Sequence, residues 1–165
     1  MSYRGTIRLS RYLACVMLLA GLSASAAYET DEPVDFSLQQ LGGGEVSLSD
    51  YRGEWVLINY WATWCAPCVK EMPELSSLHE ERDGVVVLGL AYEDVDDTDF
   101  HAFLDKAPVS YPILKVDVYD PPQPFGAPKV LPTTIILDPA GRAVKTFLGP
   151  VTRASIENYL ESVSE

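Results

Sequence analysis

The chain has 165 residues, a length for one domain, with enough apolar material for a real core. It carries 12 basic against 24 acidic residues, a net charge of −12, and that acidity argues against nucleic-acid binding. Three cysteines do not make the framework of a disulfide-stapled fold.

Residues 1–26 read as a secretory signal peptide. Arg4, Arg8 and Arg11 give a basic start, Tyr12 to Leu22 is a short apolar run, and Ala24-Ser25-Ala26 supplies the small residues of a cleavage site. The run is shorter than the roughly 20 residues that span a bilayer, so a retained anchor is the lesser reading. The arginines are not adjacent, as a twin-arginine signal requires. Cys15 stands at the start of the apolar run, whereas a lipoprotein cysteine follows it. Cleavage after Ala26 removes Cys15 and three arginines, leaving two cysteines and a charge of about −15 from 9 basic and 24 acidic residues. A single pair kept in an oxidising compartment points to a working dithiol more than to a staple.

Residues 27–33 read as a loose polar linker and 34–165 as one domain. Asp35 to Leu38 and Glu45 to Leu48 flank Gly42-Gly43-Gly44, the pattern of a hairpin. Val56 to Trp61 is apolar nearly throughout, as in a central strand covered on both faces. Trp64-Cys65-Ala66-Pro67-Cys68 follows, and a helix is expected from Cys65 or Ala66 to Asp83-Gly84, kinked at Pro73. Val85 to Tyr92 reads as a second buried strand. Glu93 to Asp99 holds five acidic residues and leads into a helix ending near Lys106. Pro108 to Val118 contains short extended pieces, and Asp120 to Pro128, with four prolines, is expected as a semi-rigid loop. Thr133 to Asp138 and Ala143 to Leu148 form a second hairpin. A closing helix over Arg153 to Val163 presents Ile156, Tyr159, Leu160 and Val163 at helical spacing. The order predicts an α/β sandwich around a mixed sheet.

Two thiols separated by two residues, where a strand enters a helix, suit the making and breaking of a disulfide. Free N–H groups and the positive dipole end of the helix stabilise a thiolate at Cys65. Cys68, one turn in, is placed to resolve the mixed disulfide formed by Cys65.

The stretch Val56 to Cys68 resembles the thioredoxin superfamily, and within it the exported thiol-disulfide reductases related to TlpA, ResA and CcmG; the likeness runs from about Val34 to the C-terminus. Pro73, eight residues after Cys65, matches the superfamily's helix-kinking proline. The resemblance implies a thioredoxin-like three-layer sandwich with an N-terminal β-hairpin. It further implies that Pro132, in Leu131-Pro132-Thr133-Thr134, is cis and faces the dithiol, with Leu131 pairing to an extended substrate. Pro128 is the competing candidate, but the strand begins directly after Pro132. About sixty residues separate Cys68 from Pro132, more than in plain thioredoxins, which suits the extra βα insert of the TlpA-like group. Asn59 stands where thioredoxin carries a buried aspartate, which removes one possible proton acceptor. Glu93 resembles the acidic residue that the exported reductases keep near the dithiol, a possible proton relay, and competes with a reading as one more solvated carboxylate. Trp64, Ala66 and Pro67 are expected to shape the substrate contact.

The resemblance implies a monomeric periplasmic oxidoreductase that needs no cofactor or metal. It reduces protein disulfides, with apocytochrome c first and copper-site cysteines next, and is fed by a membrane dithiol donor. The alternatives are a disulfide-forming oxidant and a copper-handling or chaperone-type binding module. A peroxidase would need a lone reactive cysteine with a threonine and an arginine, and no arginine lies close to Thr63 and Cys65 in sequence. A zinc site lacks ligands: His79 is fourteen residues past Cys65, roughly 20 Å along a helix, and His101 has no ligand-like neighbour. Haem attachment would require histidine where Val69 stands. Both histidines read as structural or surface residues.

Overall fold

The computed structural model describes residues 28–123 and 125–163; the expected signal peptide lies outside them. Chain order gives β1 (Ser37–Gln39), β2 (Glu45–Ser47), a 3₁₀ turn (Leu48–Tyr51), β3 (Trp55–Trp61), α1 (Ala66–Glu81), β4 (Val85–Ala91), α2 (Asp97–Leu104), β5 (Ile113–Lys115), β6 (Thr133–Leu137), β7 (Ala143–Leu148) and α3 (Arg153–Ser162). β1 and β2 pair antiparallel across the three glycines, all at positive φ, where a side chain would be strained. The remaining strands form one sheet in the order β5-β4-β3-β6-β7. β3, β4 and β5 run parallel, and β6 and β7 are antiparallel to their neighbours. β3 is central because both of its faces are apolar: all of Val56 to Trp61 is buried.

Alternation along β3 splits the interior in two. Leu57 and Trp61 join Met72, Leu75 and Leu78 of α1, Phe100 of α2, and Ile156 and Leu160 of α3 in one cluster. Val56, Ile58 and Tyr60 face the other way, with Leu88 and Leu90 of β4, and are covered by Tyr28, Val34, Leu48, Val116 and Phe125. All three α-helices therefore lie against one face. The opposite layer is built by the N-terminal segment, the 3₁₀ turn and the loop after β5, so only one outer layer of the sandwich is α-helical. α2 and β5 are the insert implied before Pro132.

α1 runs as one helix through Pro73. The stretch expected as a loose linker is held to the domain: Thr30 N–H bonds the Ala143 carbonyl at 2.9 Å, and Ala143 N–H bonds Thr30 Oγ1 at 3.1 Å. The Leu131–Pro132 bond is the one cis peptide among the described residues, and Pro128 is trans. No helix among the described residues is long and apolar enough to cross a membrane.

Candidate active site

Cys65 is the N-cap of α1 and Cys68 lies in its first turn, and the two form a disulfide with Cα atoms 5.3 Å apart. Cys65 is 5 % exposed and Cys68 1 %. The order expected, with Cys65 nearer solvent, is the order found. Ala66 and Pro67 are exposed beside them, and Pro67, in the second helical position, leaves no N–H unsatisfied where the helix has no partner to offer. Trp64 stands out from the surface at 70 % exposure. Leu131 packs against the apolar cluster that holds both cysteines. Trp64 and Leu131 line one cleft of about 310 Å3 together with Tyr92, Pro128, Lys129 and Val130. The structure thus gathers the two motifs at one end of the sheet, Cys65 and Trp64 after β3 and Leu131 and Pro132 before β6.

Glu93 follows β4 and clasps the loop that carries the dithiol. Its carboxylate accepts Thr63 N–H at 2.6 Å and the Thr63 hydroxyl at 2.9 Å. Thr63 is two residues from Cys65, so this pair fixes the approach of β3 to α1. It also commits the threonine that a peroxidase site would have needed.

A second carboxyl group escapes sequence reasoning. Glu71 is 3 % exposed, on the face of α1 that turns to the sheet. Asn59 Nδ2 donates to its Oε1 at 2.8 Å and Val151 N–H to its Oε2 at 2.7 Å. Asn59 Nδ2 also reaches Thr134 Oγ1 at 3.0 Å, across the β3–β6 pairing. Burial pushes the Glu71 carboxyl up to about 7, more than its two hydrogen bonds bring it down. Glu71 is three residues after Cys68, and residues at that spacing share a helix face. The signal was an acidic residue in the apolar stripe Cys68, Met72, Leu75, Leu78. Asn59, read as the loss of a proton acceptor, instead donates to a buried carboxyl group.

The histidines stand apart from the dithiol. His79 Nδ1 accepts Val87 N–H at 3.2 Å and its ring meets Tyr111 edge-on, while His101 is exposed on α2. Among the described residues no group of three or more His, Cys, Asp or Glu side chains is placed to hold a metal ion.

Residues 30–146 match the model of the AhpC/TSA family. The chain is 35 % identical over 133 residues to the thiol-disulfide oxidoreductase ResA of Geobacillus thermodenitrificans, covering 78 % of this chain and 74 % of that protein. A thiol:disulfide interchange protein DsbE from Chlorobium tepidum shares the fold at a TM-score of 0.71 and 24 % identity, covering 81 % of this chain and 96 % of that one. A secreted thiol-disulfide isomerase from Corynebacterium glutamicum superposes at a TM-score of 0.67 with 30 % identity, covering 82 % and 90 %.

Proposed function

Because the chain belongs to the AhpC/TSA family and is a thioredoxin-like thiol-disulfide oxidoreductase, we propose that it works outside the cytoplasm as a reductase of protein disulfides. The observation that carries this reading is the Cys65–Cys68 pair at the start of α1, beside the exposed Trp64. In the reduced protein the Cys65 thiolate attacks a substrate disulfide, forming a mixed disulfide and releasing one substrate thiolate, which takes a proton. Cys68 then gives up its proton and attacks Cys65 Sγ, freeing the second substrate thiol and closing the protein disulfide. Two electrons pass to the substrate and two protons follow them.

Trp64, Ala66, Pro67, Leu131 and Pro132 form the contact surface in this reading. Glu71 accepts the Cys68 proton: it is buried one turn away, and its carboxyl, raised to about 7, both takes and returns a proton near neutral pH. Glu93, held by Thr63, positions the loop. Resemblance to the exported reductases supports a periplasmic site, a signal peptide over residues 1–26, a membrane dithiol as electron donor, and apocytochrome c as substrate.

The test is the equilibrium reduction potential of the pair, joined to cysteine variants. A value near or below about −220 mV supports the reductase. A value near roughly −120 mV supports disulfide formation instead. Cys65→Ser is expected to abolish turnover and Cys68→Ser to accumulate mixed disulfides; full activity in the first variant defeats the mechanism.

A further inference from the structure

Six large apolar side chains are exposed among the described residues: Trp64, Val95, Tyr119, Val130, Leu148 and Val163. Four of them lie in clefts that adjoin the dithiol loop. Trp64 and Val130 share the cleft with Leu131. Val95 and Tyr119 line a second one, of about 470 Å3, bounded by Glu93, Asp94, Phe100, Lys115 and Asp117. Exposed apolar surface gathered at one place marks contact with a partner, whereas scattered residues need no explanation. Tyr119 is 85 % exposed, so folding does not account for its ring.

The charges of this second cleft are unequal. Lys115 pairs with Asp97 at 2.5 Å, so its charge is answered. Glu93 is held by Thr63 through both carboxylate oxygens. Asp117 accepts the Tyr119 N–H at 2.8 Å, which sets its carboxylate beside that residue, and remains exposed with Asp94. An exposed aromatic face with two carboxylates and apolar walls of Val95, Val116 and Val118 matches a long cationic side chain. The methylenes cover the valines, and the charge meets the ring and the carboxylates.

We propose that this cleft is a subsite for a lysine or arginine side chain of the protein substrate, so that the reductase selects disulfides carried on basic segments. The inference rests on the thiol-disulfide activity proposed above and names its substrate class. Glu93 joins the subsite to the chemistry, since it bounds the cleft and also grips the residue two before Cys65.

The experiment uses the purified, reduced protein and a set of peptides that each contain one disulfide. In each peptide one Lys replaces Gln at a successive position beside the cysteines, and the second-order rate constant for the single reduction each protein molecule performs is compared within each pair. At one position the Lys peptide is expected to be favoured roughly tenfold, the combined size of an exposed cation–π contact and an ion pair. The ratio should fall toward one in Asp94→Asn/Asp117→Asn, in Tyr119→Ala, and in about 0.5 M salt. All three residues are on the surface, and a thermal midpoint for each variant confirms that it is folded. Equal rates for Lys and Gln peptides at every position, or a preference unchanged in the variants, overturns the subsite and leaves the activity standing. No exchange with any peptide overturns the activity and the subsite with it.

Discussion

Burying the Glu71 carboxylate works against stability, and the sign can be read from its protonation. Its folded value, about 7, lies above the ordinary 4.5. Between those limits the folded protein keeps a proton that the unfolded chain has lost, so stability falls as pH rises through that window. Above it the ionised group costs on the order of 3 kcal/mol. Glu71→Gln is therefore expected to be more stable than the wild type at pH 8, by up to about 2 kcal/mol once the hydrogen bond lost to the amide, about 1 kcal/mol or more, is counted. The advantage should vanish toward pH 4.5 in urea titrations, and mixed-disulfide resolution should slow and lose its inflection near pH 7. A variant that is less stable at pH 8 and resolves at the wild-type rate would remove Glu71 from the mechanism. His79 slopes the other way. Burial pushes its imidazole below the ordinary 6.5, and its Nδ1 must stay unprotonated to accept Val87 N–H. Stability from His79 is complete above 6.5 and is lost as pH falls from there toward the folded value. His79→Gln, whose side-chain oxygen can accept the same N–H, should flatten that acid limb. At residue scale the dithiol and Leu131-Pro132 were legible because their chemistry shows as a local pattern. Glu71 was not, because a reading by hydropathy sends every glutamate to the surface.

β4 shows how an element can depend on one absent side chain. Gly89 lies between Asn59 of β3 and Ile113 of β5 in register. A Cβ there would sit 2.7 Å from Ile113 Cδ1, 2.9 Å from Tyr111 Cε2 and 3.2 Å from Trp61 Nε1. The rings of Trp61 and Tyr111 fill the space over the glycine and lock the α2–β5 insert to the central strands. Gly89→Ala is expected to lower stability by about 1–3 kcal/mol through overpacking, measured by urea unfolding. Tyr111→Leu in the same background should recover part of that loss, and failure to do so would assign it to the backbone instead. A second element-level test concerns α3. Thr152 Oγ1 accepts Ser155 N–H at 3.2 Å, and Ser155 Oγ accepts Thr152 N–H at 3.0 Å, a reciprocal cap beside the Val151 N–H that holds Glu71. Thr152→Ala should cost about 1 kcal/mol and disturb the Glu71 pH profile as well. Strands, helices and both hairpins were legible from periodicity, glycine and proline. The side of the sheet on which each helix lies was not. Both faces of β3 are buried, so alternation tells which residues share a face but not what covers it.

Across the whole molecule, the helix-free face is where sequence and site meet at longest range. Residues at the start of the domain cover it and also brace the loop that brings Leu131 to the dithiol. Tyr28 is 6 % exposed, its hydroxyl donates to the Ala127 carbonyl at 3.3 Å and accepts Lys129 N–H at 3.3 Å, and its ring meets Phe125 edge-on. Val34 N–H bonds the Gly141 carbonyl at 2.9 Å, and Arg52 donates to the Val34 and Leu48 carbonyls at 2.7 and 3.2 Å, so the same segment is fixed along its length. None of this was legible, because the stretch between Tyr28 and Val34 is polar and the partners of Tyr28, Thr30 and Val34 lie about a hundred residues away. The loop it supports lines the Trp64 cleft through Pro128, Lys129 and Val130. Stability and substrate affinity should therefore change together when the brace is cut. Tyr28→Ala removes a buried ring and is expected to cost about 3 kcal/mol and to raise KM for disulfide substrates more than it lowers kcat, since Cys65, Cys68 and Glu71 lie on the other face. Tyr28→Phe keeps the ring and loses only the hydroxyl, so about 1 kcal/mol should go, with a smaller rise in KM in the same direction. Stability by urea unfolding and steady-state kinetics on one disulfide peptide decide the matter. A loss of stability with KM unchanged in both variants would show that the segment only covers the core, and a fall in kcat alone would place its influence on the dithiol rather than on the cleft.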